Sequence, residues 1–154
     1  MLTVGDKAPT FRLPADDGKE ISLGDFHGKH VVLYFYPKAN TPGCTTESIE
    51  FRDAQPAITK LNGVILGCSA DSVAAQAKFK AKQKLNFPLL SDPTFEVIEK
   101  YGARRMKSFL GKSFLGIVRS SVLIAPDGKI EKIWEKASSK GHAAEIVEAL
   151  KTLQ

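Results

Sequence analysis

Residues 31–44 read VVLYFYPKANTPGC, and this stretch decides the fold. Val31 to Tyr36 is a continuous run of β-branched and aromatic residues, which is typical of a strand covered on both faces. Lys38 to Gly43 is a loop, and apolar residues at helical spacing predict a helix from about Thr45 to Leu61. Gly63 to Ser69 is a second buried strand. A strand, a crossover helix and a second strand predict a parallel β-α-β unit.

Turn residues and apolar periodicity predict the rest of the chain. Pro56 should kink or interrupt the first helix, because proline has no N–H to donate. The other predicted elements are a hairpin of Phe11–Leu13 and Glu20–Leu23, a helix over Ser72–Lys84, an extended piece at Phe87–Leu90, a helix over Thr94–Tyr101, a loop over Lys107–Arg119, strands at Ser121–Ala125 and Ile130–Trp134, and a last helix over Gly141–Leu153. The late strands make the sheet mixed, and helices on both faces give a three-layer α/β sandwich. No linker divides the chain, so residues 1–154 are predicted to form a single domain.

Composition and charge argue against several classes of protein. The net charge is +5, but 22 Lys and Arg are interleaved with 17 Asp and Glu, so we expect no nucleic-acid partner. No apolar run approaches the roughly 20 residues of a membrane span, and we expect no membrane partner and no secretory signal. Two cysteines are too few for a disulfide scaffold, which favours the reducing cytoplasm.

Cys44 is the candidate nucleophile. Thr41 is a good N-cap and Pro42 a favoured first helical residue, so Cys44 should lie in the first turn of the helix. Unpaired N–H groups and the positive end of the helix dipole favour a thiolate there. A thiolate can attack a peroxide oxygen, and the Thr41 hydroxyl and the N–H groups near Gly43 and Cys44 are candidate donors to that peroxide. The alternative is that Cys44 is merely a small loop residue.

The motif around Cys44 resembles the peroxidatic loop of the peroxiredoxins, whose pattern Pro-x-x-x-Thr-x-x-Cys falls on Pro37, Thr41 and Cys44. The YFYPK and TPGCTTE segments are similar to the bacterioferritin comigratory protein, or peroxiredoxin Q, branch of that family. Similar segments along the chain are GDKAP at 5–9, FRLP at 11–14, GCSADS at 67–72, FPLLSD at 87–92 and RSSVLI at 119–124. The resemblance implies a thioredoxin-like fold with an N-terminal hairpin extension, and a peroxidase that reduces hydrogen peroxide and organic hydroperoxides through a Cys44 sulfenic acid. We expect no cofactor, and the wide spacing of the histidines predicts no metal site.

The resemblance also assigns roles to residues that spacing alone does not. The active-site arginine of the family matches Arg119, which would stabilise the Cys44 thiolate and donate to the peroxide. Pro37 would shape and shield the pocket. Glu47 matches a family acid, although it is equally well explained as an acid that complements the start of a helix.

The chain departs from the family at the resolving cysteine. The two positions that usually carry it match Ile49 and Lys80, so the resemblance implies a one-cysteine enzyme reset by an external thiol such as glutathione, glutaredoxin or thioredoxin. Cys68 lies in the apolar run of the second strand and is interpreted as a core residue, with a resolving role as the alternative. We expect a monomer.

Rival functions receive less support. A thiol–disulfide oxidoreductase would need Cys-x-x-Cys, and Thr41 and Glu47 stand three residues to either side of Cys44. A redox sensor or chaperone-like binding protein would use Cys44 only as a switch. The remaining side chains of interest are interpreted as surface residues (His27, His30 and His142), as packing residues (Tyr101 and Trp134), or as either core or pocket wall (Phe109 and Phe114).

Overall fold

The structure is a computed structural model of the chain and describes residues 2–154. The strands are β1 (Arg12–Pro14), β2 (Glu20–Ser22), β3 (His30–Phe35), β4 (Gly63–Ser69), β5 (Leu89–Ser91), β6 (Arg104–Phe109), β7 (Lys112–Ile117), β8 (Ser120–Ile124) and β9 (Ile130–Trp134). The helices are α1 (Pro42–Lys60), α2 (Val73–Gln83), α3 (Glu96–Lys100) and α4 (His142–Thr152), with a short 3-10 helix at Leu23–Phe26. None of the described helices is both long enough and apolar enough to span a bilayer.

A five-stranded mixed sheet forms the centre of the molecule, in the order β5-β4-β3-β8-β9. Strand β3 runs parallel to β4, with Phe35 opposite Cys68, and antiparallel to β8, with Phe35 opposite Ser120. Strands β1 and β2 pair as a separate hairpin ahead of the sheet. The predicted parallel unit, the mixed sheet and the N-terminal hairpin are therefore confirmed, with element ends shifted by one to a few residues.

The two faces of the sheet bury two different cores. Because side chains alternate along a strand, Val31, Leu33 and Phe35 face one side while Val32 and Tyr34 face the other. Residues of α3 and the N-terminal hairpin cover the first face, and residues of α1, α2 and α4 cover the second. This arrangement is the predicted three-layer sandwich.

Helix α1 runs through Pro56 without interruption. Proline cannot donate to the carbonyl four residues earlier, which leaves the Arg52 oxygen without its helical partner. The side-chain amide of Asn86 donates to that oxygen at 3.1 Å. A tertiary hydrogen bond thus replaces the missing helical one, and the expected interruption is absent.

The prediction of a loop over Lys107–Arg119 is wrong. Strands β6 and β7 form a hairpin there, joined by a two-residue turn at Leu110 and Gly111, both at positive φ (51° and 77°). The hairpin pairs with neither edge of the central sheet. Its strands have no buried face along most of their length, so the alternation of apolar and polar residues that marks a strand is missing.

Two of the three histidines predicted at the surface are buried. His30 is 7% exposed, with Nδ1 2.8 Å from the Glu131 carboxylate. His142 is fully buried, with Nε2 2.7 Å from the Ser121 hydroxyl, and burial lowers its pKa. Only His27 is exposed. Glu131 and Ser121 lie far away in sequence. Glu145, three residues after His142, also lies 3.1 Å from its ring but is itself exposed, so nothing near either histidine indicates its burial.

Candidate active site

Cys44 lies in the first turn of α1, as predicted. Thr41 is the N-cap residue in extended conformation, and Pro42 is the first helical residue. The first helical hydrogen bond runs from the Thr45 N–H to the Thr41 carbonyl at 2.9 Å. The N–H groups of Gly43 and Cys44 precede that bond and are free of helical partners. The start of α1 therefore directs donors and the positive end of its dipole at the thiol.

Thr41 does not cap the helix through its side chain. Its hydroxyl donates instead to the Lys38 carbonyl at 2.7 Å. A hydroxyl oxygen engaged in this way retains lone pairs that can accept a hydrogen bond from a peroxide O–H.

Arg119 is brought to Cys44 from 75 residues away. It immediately precedes β8, and its Nη2 donates to the Cys44 Sγ at 3.4 Å. Its Nη1 donates to the Glu47 carboxylate at 2.8 Å. The Arg119 side chain is only 17% exposed, so its charge acts on both groups with little screening by water. The structure thus joins Cys44, Arg119 and Glu47 in one contact network.

Glu47 belongs to this network and is more than an acid at a helix start. It is 1% exposed, and its Oε2 has no hydrogen-bond partner in the part of the chain described. Burial raises the pKa of Glu47 to about 7, against the opposing effect of Arg119. Burial would lower the pKa of Arg119, but the charges of Glu47 and Cys44 raise it overall.

Gly43 makes room for the arginine. A Cβ built at this position would lie 3.0 Å from the Arg119 Nη2 and 3.7 Å from the Ser139 Cβ. Any side chain at residue 43 would therefore push against the guanidinium that contacts Cys44. Sequence reasoning noted only the N–H group of Gly43 and missed this steric requirement.

Asp71 anchors the loop that precedes α1. Its carboxylate accepts hydrogen bonds from the Ala39 N–H at 2.8 Å and the Ser69 hydroxyl at 2.6 Å. Ser72, the residue at which this helix is predicted to begin, is the N-cap of α2 and accepts the Ala75 N–H. The sequence indicates the role of Asp71 only by its position just after β4, a parallel strand. The carboxyl end of β4 lies at the same edge of the sheet as the loop that leads to Cys44.

The floor of the site is aromatic and buried. The Tyr34 hydroxyl lies 2.8 Å from the Ser48 hydroxyl, and the Tyr34 ring stacks on Phe51 with centroids 4.6 Å apart. Burial raises the pKa of Tyr34 well above its ordinary value. Pro37 is half-buried in the loop between β3 and α1.

The second cysteine faces away from this floor. Cys68 belongs to the core on the α3 side of the sheet, whereas Cys44 belongs to the core on the α1 side. Both thiols are free and fully buried, and burial raises the pKa of Cys68, with the charge of Asp92 adding to the effect. Ile49 lies on α1 and Lys80 on α2, where its Nζ pairs with the Asp16 carboxylate at 3.2 Å. Within residues 2–154, no three His, Cys, Asp or Glu side chains converge closely enough to hold a metal ion.

A thioredoxin-like α/β fold that encloses a helix-start cysteine beside an arginine defines a thiol-dependent redox enzyme. Comparison with known proteins shows to which family of thiol-dependent redox enzymes the chain belongs. The AhpC/TSA family model matches residues 4–133. Peroxiredoxin Bcp of Bacillus subtilis is 42% identical over 152 residues, covering 99% of this chain and 97% of that protein.

Solved structures agree with the sequence relatives. The bacterioferritin comigratory protein of Xanthomonas campestris, studied for its alkyl peroxide reduction, superposes with a TM-score of 0.88 at 38% identity, covering 93% of this chain and 91% of that chain. A cysteine mutant of PrxQ from Xylella fastidiosa superposes with a TM-score of 0.94 at 34% identity, covering 99% and 98%. The chain belongs to the AhpC/TSA family and is a peroxiredoxin of the Bcp/PrxQ type, a thiol peroxidase.

Proposed function

We propose that the Cys44 thiolate reduces hydroperoxides by direct attack. The sulfur attacks the terminal peroxide oxygen, the O–O bond breaks, and the departing alkoxide or hydroxide leaves as alcohol or water after taking up a proton. Cys44 is oxidised to the sulfenic acid, and the peroxide is reduced by two electrons. The contact of 3.4 Å between the Arg119 Nη2 and the Cys44 Sγ, in the first turn of α1, is the observation that carries this assignment.

The surrounding groups stabilise the transition state by compensating its charge and by forming oriented hydrogen bonds to the peroxide. The Arg119 guanidinium offsets the thiolate charge and donates to the oxygen that becomes negative as the O–O bond lengthens. The N–H groups of Gly43 and Cys44 donate from the helix start, and the Thr41 oxygen accepts from the peroxide O–H. Pro37 excludes water from this approach.

We assign both hydrogen peroxide and organic hydroperoxides as substrates. The reacting group is the same O–O–H unit in both, and the donors named above act on that unit in the proposed mechanism. The Xanthomonas campestris relative, studied for its alkyl peroxide reduction, supports inclusion of organic substrates.

The sulfenic acid is reset by an external thiol. A thiol attacks the Cys44 sulfur and releases water, and a second thiol resolves the mixed disulfide to regenerate Cys44. Glutathione, glutaredoxin and thioredoxin are reductants of this kind, and the reducing cytoplasm supplies them. The burial of Cys68 on the opposite face of the sheet supports a one-cysteine cycle, which a monomer can complete alone.

Turnover of peroxide with glutathione tests this function. Cys44→Ser should abolish peroxide consumption, because a serine hydroxyl does not ionise near neutral pH and is a poor nucleophile towards peroxide. Cys68→Ser is the matched control and should keep most of the turnover. Substantial activity in Cys44→Ser, or its loss in Cys68→Ser alone, would contradict the assignment.

A further inference from the structure

The β6–β7 hairpin holds most of the exposed large apolar side chains of the described residues. They are Met106 (64% exposed), Phe109 (67%), Leu110 (87%), Phe114 (46%) and Leu115 (51%). The others, Val4 and Leu153, lie singly elsewhere. Isolated exposed apolar residues are ordinary, but a concentration of them on one projecting element marks an interaction site.

Leu110, at the tip of the hairpin, is an unfavourable residue both for the backbone conformation of the turn and for exposure to water. Leu110 has a φ of 51°, in the left-handed region that a two-residue hairpin turn requires and that Asn or Gly adopts most readily. Its side chain gains no burial within the chain in exchange. Neither the local conformation nor the core explains a leucine here, which points to a contact outside the chain.

Apolar side chains surround the hairpin on both faces. The register places Phe109 and Phe114 on one face and Met106 and Leu115 on the other, with Leu110 at the end. A protein partner docked against one face would leave the opposite face exposed. An apolar medium that encloses the tip would cover both faces.

The charge of the segment is uniformly positive. Residues 104–119 contain no acid, and of their five basic side chains Arg104 pairs with Glu99 and Arg119 with the buried Glu47, which leaves Arg105, Lys107 and Lys112. A second copy paired hairpin to hairpin would bring like charges together. An anionic surface complements them, and Lys112, exposed beside the tip, can reach it directly.

We propose that the β6–β7 hairpin docks the protein onto an anionic phospholipid bilayer, with the side chains of its tip seated among the headgroups and upper acyl chains. Phe114 lies opposite Lys107, three residues before Leu110. At about 3.4 Å per residue, the hairpin between the tip and Phe114 spans about 10 Å, close to the roughly 5–10 Å depth of interfacial anchors. A hairpin that only docks at the bilayer surface does not need the long apolar run that a membrane-spanning helix needs. The proposal therefore departs from the expectation of no membrane partner, which rested on the lack of such a run.

The base of the hairpin adjoins the active site. Strand β7 leads through Val118 to Arg119, and the Lys107 Nζ donates to the Ile117 carbonyl at 2.8 Å. Burial lowers the pKa of Lys107, and the nearby charges of Arg119 and Cys44 act on it in opposite directions. Docking through the tip therefore holds an element continuous with the peroxidase site at the bilayer surface.

Co-sedimentation with phospholipid vesicles tests the docking. Wild-type protein should sediment with vesicles of phosphatidylcholine and phosphatidylglycerol, and much less with phosphatidylcholine alone. The double variant Phe109→Ser/Leu110→Asn should bind at least about tenfold more weakly, since burial of one such apolar side chain is worth about a factor of ten or more. Lys112→Glu should also weaken binding, and added salt should weaken binding of the wild type.

The control removes the same number of exposed apolar side chains elsewhere. Val4→Ser/Leu153→Asn should bind vesicles as the wild type does. The tip variant should keep its circular dichroism spectrum and its peroxide turnover without vesicles, since Asn suits the turn and neither residue belongs to the site. Absence of wild-type binding, or equal binding of wild type and tip variant, would overturn the proposal. A dimer in lipid-free solution that the tip variant abolishes would assign the hairpin to a second copy instead.

Discussion

Cys44 combines complete burial with a cation at contact distance. Taking a thiolate out of water is costly unless the protein replaces the lost solvation, and here the guanidinium of Arg119 and the start of α1 replace it. Arg119 is shared with Glu47, so the charge state of that carboxyl sets how much of the positive charge is left for the sulfur. In the proposed mechanism, the reactivity of Cys44 is therefore a property of three residues together.

The hydrogen-bonding groups around the sulfur can be removed one at a time. Arg119→Met removes a donor to the developing negative charge and should slow the oxidation of Cys44 by a factor of ~10² to 10³, since loss of one such donor costs ~2.7–4 kcal/mol of barrier. Thr41→Val removes the acceptor of the peroxide O–H and should slow the oxidation by up to about tenfold, since one such hydrogen bond is worth ~0.5–1.5 kcal/mol. Stopped-flow measurement of the second-order rate with hydrogen peroxide provides the test. Arg104→Met removes a surface arginine paired with Glu99 and should leave the rate unchanged. Wild-type rates in both site variants would exclude the proposed pocket.

Glu47 should make stability depend on pH. Burial raises its pKa from 4.5 to about 7 in the folded protein, so between these values the folded state binds a proton that the unfolded state has lost. The stability that the protonated carboxyl provides is full below pH 4.5 and is lost as pH rises to about 7. At about 1.4 kcal/mol per pKa unit, the loss is on the order of 3 kcal/mol.

The variant Glu47→Gln keeps the shape and removes the titration. Its free energy of unfolding in urea, measured from pH 4.5 to 8, should lack the decline that the wild type shows. Glu148→Gln changes an exposed carboxyl and should follow the wild type. Parallel curves for the wild type and Glu47→Gln would contradict the assignment of this titration to Glu47.

The first turn of helix α1 must pass close to Arg119, and Gly43 is the residue that allows it. Gly43→Ala should raise helix propensity, by up to about 1 kcal/mol, while its Cβ meets the guanidinium at 3.0 Å. We expect Cys44 oxidation to slow at least about tenfold with the melting temperature unchanged or higher, because about 1.4 kcal/mol of lost contact already corresponds to that factor.

Gly24→Ala is the control for this variant. A Cβ at Gly24 would meet nothing within 4 Å, so the oxidation rate should stay at the wild-type value. An unchanged rate in Gly43→Ala would mean that Arg119 does not need its observed position.

Helices and strands with one apolar face, or with a continuous apolar run, were predictable from the sequence. Elements without such a pattern were not. Strands β3, β4 and β9 and helices α1, α2 and α4 follow from apolar runs, periodicity and turn residues. The β6–β7 hairpin was missed because its apolar residues face out on both sides. The residue that satisfies the carbonyl left free by Pro56 in α1 is Asn86, which lies 30 residues further along the chain.

The site was predictable to a similar extent. The position of Cys44 in a first helical turn follows from its neighbours, because Thr41 and Pro42 mark a helix start. Arg119 could be named only through the family resemblance, since no local pattern relates it to Cys44. The choice between two interpretations of Glu47 needed its burial and its partner, and both depend on how β8 packs beside α1.

At the scale of the whole molecule, the central sheet separates the two thiols. Cys44 and Cys68 belong to cores on opposite faces, and neighbouring strands hold Cys68 in register with Phe35 and Leu90. A disulfide needs Cα atoms within about 7 Å and side chains directed at each other. Forming one here would require the start of α1 to unwind and a buried strand to turn its side chain through the sheet.

Mass spectrometry after one equivalent of hydrogen peroxide, with a sulfenic-acid trapping reagent present, tests whether Cys44 alone is oxidised. We expect the trapped adduct on the peptide that contains Cys44 and a free thiol at Cys68. With glutathione in place of the trap, we expect a mixed disulfide on Cys44. A Cys44–Cys68 disulfide peptide as the main oxidised species, or oxidation of Cys68 while Cys44 stays free, would contradict this expectation.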